Sequence, residues 1–258
     1  MSRVNLALAA FAGLALLPGC AAAADEEIQV YMDEMNPKGV YGLDLHLNYV
    51  PQGRAANVDY AGQMASDGRF RFTPEWSYGL TDNVELGLYL PLATLDRNGD
   101  AELGGVKGRV KWIAPRSPGQ DWFWGANLEI GRVRRSLDIN PWNAELKGIL
   151  GVRQGPWTLA ANLNADWAVS GPDKGPVTYQ LATKASYKVA PDTALGLESY
   201  NSLGSARRFG RLSDNDQEAF VVLDQGFGRW DLDFGVGRGW GAPEDQWIVK
   251  AIIGVPID

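Results

Sequence analysis

The chain has 258 residues, 45% of them hydrophobic, with 31 glycines, 10 tryptophans and a formal net charge of −7 at pH 7. An acidic chain without a basic cluster is a poor partner for nucleic acid. A single cysteine and a single histidine leave no internal disulfide and no Cys/His zinc set.

Residues 1–24 carry Arg3, an apolar run from Leu6 to Leu17 and the small residues Ala21 to Ala24. This is the pattern of a secretory signal peptide, with cleavage expected after Ala24. Leu17-Pro18-Gly19-Cys20 also resembles a lipoprotein box, although Pro18 is atypical there and a barrel needs no lipid anchor. Residues 25–38 (DEEIQVYMDEMNPK) are acidic and are expected to form a periplasmic N-terminal segment. A segment folded back into the periplasmic mouth as a plug is the sharper alternative.

Residues 39–258 show strand alternation, which puts successive side chains on opposite faces. The first strand, Gly39 to Val50, sets Tyr41, Leu43, Leu45, Leu47 and Tyr49 against Asp44, His46 and Asn48. A polar loop, Pro51 to Gly68, leads to the clearest hairpin. Its first strand sets Phe70, Phe72, Pro74, Trp76, Tyr78 and Leu80 against Arg69, Arg71, Thr73 and Glu75. After the turn-forming Thr81-Asp82-Asn83, Val84, Leu86, Leu88, Leu90 and Leu92 oppose Glu85, Gly87 and Tyr89. Pro74 and Pro91 would each remove a ladder hydrogen bond, so bulges are expected there.

The scheme repeats beyond an expected loop at Ala93–Glu102. Val106, Val110 and Trp112 oppose Lys107, Arg109 and Lys111; Trp122, Trp124, Ala126, Leu128 and Ile130 oppose Asn127 and Glu129. Trp142, Leu146, Leu150 and Val152 oppose Glu145, Lys147 and Arg153, and the next strand opposes Trp157, Leu159, Leu163 and Trp167 to Asp166. Val177 to Lys188 places Lys184 opposite the apolar set. Ala194–Asn201, with Glu198 and Tyr200, and Gln217–Asp224 are the least regular. Trp230, Leu232, Phe234 and Val236 oppose Asp231 and Asp233, and Trp247 to Ile257 closes the series.

About twelve strands, with long and short connections in alternation, fit an all-β, antiparallel transmembrane β-barrel of the outer membrane with both termini in the periplasm. A soluble β-barrel would instead turn its apolar face inward. Trp76, Trp112, Trp122, Trp157 and Trp230 fall near expected periplasmic strand ends, and Trp142, Trp167, Trp240 and Trp247 near extracellular ones. Two tryptophan belts suit the membrane interfaces, where an indole keeps an apolar edge in lipid and its N–H in water.

The stretches EIQVY (27–31), GLDLHLNYVPQGR (42–54), FTPEWSYGLTDNVELGLYLP (72–91), FWGANLEIG (123–131) and GPWTLAANLNADWAVSGPD (155–173) together resemble a group of proteobacterial outer-membrane barrels mostly of unassigned function. The resemblance covers most of the chain after the signal. It implies a barrel fold and, for relatives in aromatic-compound degradation loci, an uptake role. It carries no catalytic residue.

No catalytic constellation emerges from the residues themselves. His46 is the one histidine, and Asn48 rather than serine lies two residues on along its face, against a lipid-modifying enzyme that needs an activated nucleophile. Asp96, Asn98 and Asp100 suggest calcium, but Ala101 and Lys107 stand where an EF-hand loop needs glycine and glutamate. The alternating Gly235, Gly237, Gly239 and Gly241 imitate a nucleotide loop only superficially. What remains is the lumen, with the expected wall residues Asp44, His46, Arg69, Arg71, Glu75, Glu85, Tyr89, Lys107, Arg109, Lys111, Glu129, Glu145, Lys147, Arg153, Asp166, Lys184, Glu198, Asp231 and Asp233. Basic second and fourth strands facing an acidic eleventh would set a field across a pore. The same charges could instead pair into a network that closes it. The expectation is a monomeric passive channel or uptake protein for a small solute, without cofactor or metal. Its partners would be outer-membrane lipids and the barrel-assembly machinery; a lipid-modifying enzyme and a closed structural barrel are the alternatives.

Overall fold

In the computed structural model the described residues are 27–257, apart from 58, 91–92, 206, 211 and 242–244. The expected signal peptide lies outside them. Period-two alternation builds long strands that pair antiparallel with their neighbours in sequence. We number them β1 (Tyr41–Gln52), β2 (Phe70–Thr81), β3 (Val84–Tyr89, resumed at Ala93–Leu95), β4 (Ala101–Leu103 and Gly105–Ile113), β5 (Trp122–Val133) and β6 (Trp142–Gln154). The series continues with β7 (Trp157–Ser170), β8 (Thr178–Ala190), β9 (Thr193–Ser205), β10 (Asp216–Phe227), β11 (Trp230–Gly241) and β12 (Trp247–Val255). A short strand, Arg208–Phe209, pairs with β9, and a 3-10 turn spans Leu212–Asp214.

β1 pairs with β2 on one side, with His46 opposite Thr73, and with β12 on the other, with His46 opposite Ile252. The sheet is therefore closed into a 12-stranded barrel without a free edge. Asp82-Asn83, Gly155-Pro156, Pro191-Asp192 and Gly228-Arg229 make tight hairpin turns at one end, where β1 also begins and β12 ends. The longer connections, including residues 53–69, 134–141 and 206–215, gather at the other end.

Three elements depart from the expected pattern. The third strand breaks after Tyr89, beside the prolines of the sequence, and resumes at Ala93, where Phe70 pairs with Leu95. The expected loop at Ala93–Glu102 thus shrinks to a tight turn, because Ala93–Leu95 pairs with Ala101–Leu103 and prolongs the wall. Within that turn the Asp96 carboxylate accepts N–H bonds from Asp100 (2.9 Å) and Asn98 (2.8 Å), and these hold its pKa below the usual carboxylate range. Its oxygens shape a turn. β9 and β10 are also longer than the alternation suggested. Phe220 and Val222 point inward while Val221 points outward, so β10 is apolar on both faces and its period is hidden.

The outward face decides between a membrane and a soluble barrel. Leu163, Leu197 and Val221 are 53%, 62% and 65% exposed, while Arg69, Glu129 and Lys250 are at most 1% exposed. Apolar side chains outside and charges inside is the arrangement of a barrel in lipid, where the wall must be apolar and every backbone polar group paired. Leu163, midway along β7, tests this. Leu163→Arg is expected to cost about 2–4 kcal/mol of unfolding free energy in lipid vesicles, read from denaturant titrations; a loss below about 0.5 kcal/mol would be the surface-mutation value of a soluble protein.

Candidate functional site

The lumen is organised around the N-terminal segment. From Gly39, whose N–H bonds Gly79 O at 2.7 Å beside β2, residues 27–38 run inward through the short-turn mouth to mid-barrel. An extended segment inside a barrel must find partners for its backbone polar groups, and the wall supplies them. The Asn162 side chain accepts the Tyr31 N–H (2.6 Å) and donates to the Tyr31 carbonyl (2.9 Å), imitating a neighbouring strand. Lys111 Nζ donates to Glu34 O (2.6 Å) and Lys250 Nζ to Ile28 O (3.1 Å). Asn36 N donates to Glu85 (2.6 Å), and at the mouth Asp33 pairs with Arg153 (2.7 Å) and Arg116 (2.7 Å). Of the two readings of the N-terminal segment, residues 27–38 follow the fold-back rather than a leader left outside the barrel.

Tyr31 is the centre of this arrangement. Its hydroxyl lies 2.7 Å from that of Tyr89 and donates to Glu129 (3.1 Å). Its ring is flanked by Lys147, Lys111 and Arg109 at 4.9, 5.2 and 5.7 Å, cations that the negative face of an aromatic ring attracts. Ile28, Val30 and Tyr31 are buried together with the inward-facing Val50, Ile113, Phe123, Ile149, Phe220, Val222 and Ile248. The middle of the lumen therefore holds a mixed polar and apolar core.

The lumen charges form two groups. In one, Glu75 takes His46 (3.1 Å) and Arg109 (2.5 Å), Arg109 reaches on to Glu85 (2.8 Å), and Glu129 takes Lys107 and Lys147 at 3.1 Å each. Glu145 also pairs with Lys147. In the other, Lys184 contacts Asp224 (2.7 Å), Asp233 (3.0 Å) and Glu198 (3.1 Å), and Lys250 contacts Glu198 (2.5 Å) and Asp233 (3.1 Å). The Tyr200 hydroxyl donates to Glu198 at 2.8 Å. Opposite charges one to three strands apart satisfy one another across the inner wall, instead of facing each other across open water.

Among the remaining expected wall residues, Arg69 and Arg71 are buried at the long-loop end of β2, and Asp44 faces inward opposite Glu75. Asp166 is half-buried opposite Glu145, while Asp231 is exposed at the short-turn rim. Of the tryptophans, Trp122, Trp157 and Trp230 begin their strands at the short-turn end, and Trp142 and Trp247 begin theirs at the long-loop end. Trp240 lies near the long-loop end of β11, Trp112 and Trp167 are half-buried, and Trp76 sits further inside the wall, opposite Leu43 and Leu88.

Sequence reasoning missed Lys250, which is fully buried, and the inward apolar residues Phe123, Phe220 and Ile248. Parity could have found Lys250, because it alternates with the outward Val249 and Ala251. Phe123 and Phe220 fit because glycines stand opposite: a Cβ at Gly151 or Gly237 would meet the ring at 2.1 or 2.4 Å. The glycine row of β11 is therefore a packing feature.

No protein-family model and no curated protein matches the chain. Solved structures do. An outer membrane channel from Pseudomonas putida F1 aligns over 88% of this chain and 99% of its own, at 16% identity and a TM-score of 0.59. LpxR from Salmonella typhimurium aligns over 84% and 100% at 8% identity (TM-score 0.44), and a loop-deletion mutant of OmpT, an outer membrane protein of Vibrio cholerae, over 83% and 98% at 12% identity (TM-score 0.34). The chain has the fold of outer-membrane β-barrels.

Glu129 joins the wall to the N-terminal segment. Removing one member of a buried ion pair strands the other charge, so Glu129→Gln is expected to cost about 3–5 kcal/mol. Guanidinium unfolding of the refolded protein, followed by tryptophan fluorescence, measures it; a loss below about 1 kcal/mol would mean that water, not Glu129, solvates Lys107 and Lys147.

Proposed function

We propose that this is an outer-membrane barrel for the passage of a small solute, closed at rest by its own N-terminal segment. The observation that carries the reading is the way residues 27–38 are held. The wall is a complete hydrogen-bonded barrel without them, and they are tied to it by side-chain hydrogen bonds and ion pairs at Asn162, Lys111, Lys250, Glu85 and Arg153 and by the burial of Ile28, Val30 and Tyr31. No pairing in the wall's own ladder runs through residues 27–36, so their departure leaves the closed sheet intact. The similarity to a channel of Pseudomonas putida supports the fold this needs. The lumen charges and the hydroxyls of Tyr89 and Tyr200 would then meet the solute. His46 bonds Glu75 and packs near Tyr89 (ring centroids 5.9 Å), an arrangement that suits a wall residue.

Single-channel recording in planar bilayers tests the proposal. The intact chain is expected to conduct rarely and in small steps. Deleting residues 27–36 should give several-fold larger, long-lived steps whose ion selectivity shifts when Arg69 and Arg71 are neutralised. Asn162→Ala, which removes both bonds to the Tyr31 backbone, should raise the opening frequency. A deletion variant that inserts, resists unfolding by detergent and still never conducts would sink the channel reading and leave a closed structural barrel.

A further inference from the structure

The outward faces of the twelve strands are apolar or uncharged except at two positions, Arg132 on β5 and Arg238 on β11. Both lie at the long-loop end, and both stand directly across from a tryptophan of the neighbouring strand: Arg132 from Trp142, Arg238 from Trp247. The Arg238 guanidinium stacks 5.6 Å from the centre of the Trp247 ring. At the short-turn end the corresponding outward positions carry Trp122, Trp124, Trp157, Tyr187 and Trp230. Charge on the outward strand positions is thus confined to the long-loop end.

Arg132 has the richer surroundings. Val106 and Trp142 flank it and Ile130 lies one step deeper on the same face, so its stem rests on the apolar band while its head reaches the headgroup level. Next to it, Arg134, Arg135 and Ser136 line an open cleft of about 490 Å³ with Pro141 and Pro172. The one acid there, Glu102, is taken up by Ser136 Oγ (2.7 Å) and Arg134 Nε (3.4 Å). Arg132 and Arg135 are exposed, and neither forms an ion pair among the described residues.

We infer that Arg132, with Arg134 and Arg135, binds the phosphate of a lipid headgroup in the leaflet at the long-loop end, and that Arg238 makes a second such contact on another part of the wall. Guanidinium groups match phosphate oxygens with paired hydrogen bonds. Basic groups beside a membrane surface attract anionic lipid. The exposed apolar residues below Arg132 would receive the acyl chains, which a free phosphate lacks. On the outer-membrane reading, the occupant is a phosphorylated glycolipid of the outer leaflet. The inference needs only the barrel surface, so it stands or falls independently of whether the lumen conducts.

Native mass spectrometry of the intact refolded protein in detergent tests it, with bis-phosphorylated lipid A, dephosphorylated lipid A and inorganic phosphate as probes. The wild type is expected to retain phosphorylated lipid A and to release it when the phosphates are removed. Arg132→Gln should weaken retention roughly tenfold, Arg238→Gln should remove a second bound molecule, and Arg132→Lys should restore part of the first. Heat-modifiable migration on gels confirms that each variant is folded. Equal retention by wild type and both glutamine variants, or retention indifferent to the lipid's phosphates, overturns the inference. Competition by inorganic phosphate at the same concentration as the lipid would reduce the site to an anion site and overturn the lipid assignment.

Discussion

Everything in this molecule follows from one constraint: in lipid, a backbone N–H or C=O must find its partner within the protein. β1 meets that constraint twice, pairing with β2 through Leu43–Trp76 and with β12 through Leu43–Val255. Once the ladder is closed, alternation leaves each side chain a choice of two environments, lipid or lumen. The apolar half of each strand takes the first. The polar half is forced into a lumen that a ring of twelve strands keeps narrow.

That confinement explains the lumen chemistry. Coulomb attraction falls as the inverse of distance and strengthens as water is excluded, so charges within reach on strands one to three apart pair with one another. Lys184 settles between Glu198, Asp224 and Asp233, and Arg109 between Glu75 and Glu85. On the acidic eleventh strand, Asp233 is paired by Lys184 and Lys250 before it can act across the lumen. Residues 27–38 complete the balance from within, bringing Asp33 to Arg116 and Arg153, and backbone carbonyls to lysines that would otherwise lack a further acceptor. The segment is held by polar contacts along its backbone and acidic side chains, and by apolar ones where Ile28, Val30 and Tyr31 meet the inward-facing apolar residues of the wall.

The outer surface is ruled by the same division. Tryptophans at strand ends hold the height of the barrel in the bilayer, and their pairing with arginine at one end alone makes the two interfaces chemically different. Ring contacts such as Trp112 with Trp124 (5.1 Å) and Trp157 with Tyr187 (4.9 Å) stiffen the short-turn end.

The barrel was legible in the sequence because its cause is local. Alternation over a dozen residues, as in Phe70 to Leu80, states the strand, its two faces and the side that lipid must take. Turn residues such as Asp82-Asn83 state where the strand reverses. Strands with apolar residues on both faces, β10 above all, blurred that signal because Phe220 and Val222 serve a core inside the lumen. That core was invisible from composition. It exists only where Gly151 and Gly237 make room for rings across the sheet and where Tyr31, far away in sequence, arrives between them. Which carboxylate meets which lysine was equally undecided, since Glu198 reaches Lys250 across 52 residues and Tyr31 reaches Asn162 across 131. The sequence determined the wall, because a wall is made of neighbours. Only the tertiary structure decided what fills it, because the filling is made of contacts between residues that meet only after the sheet has closed.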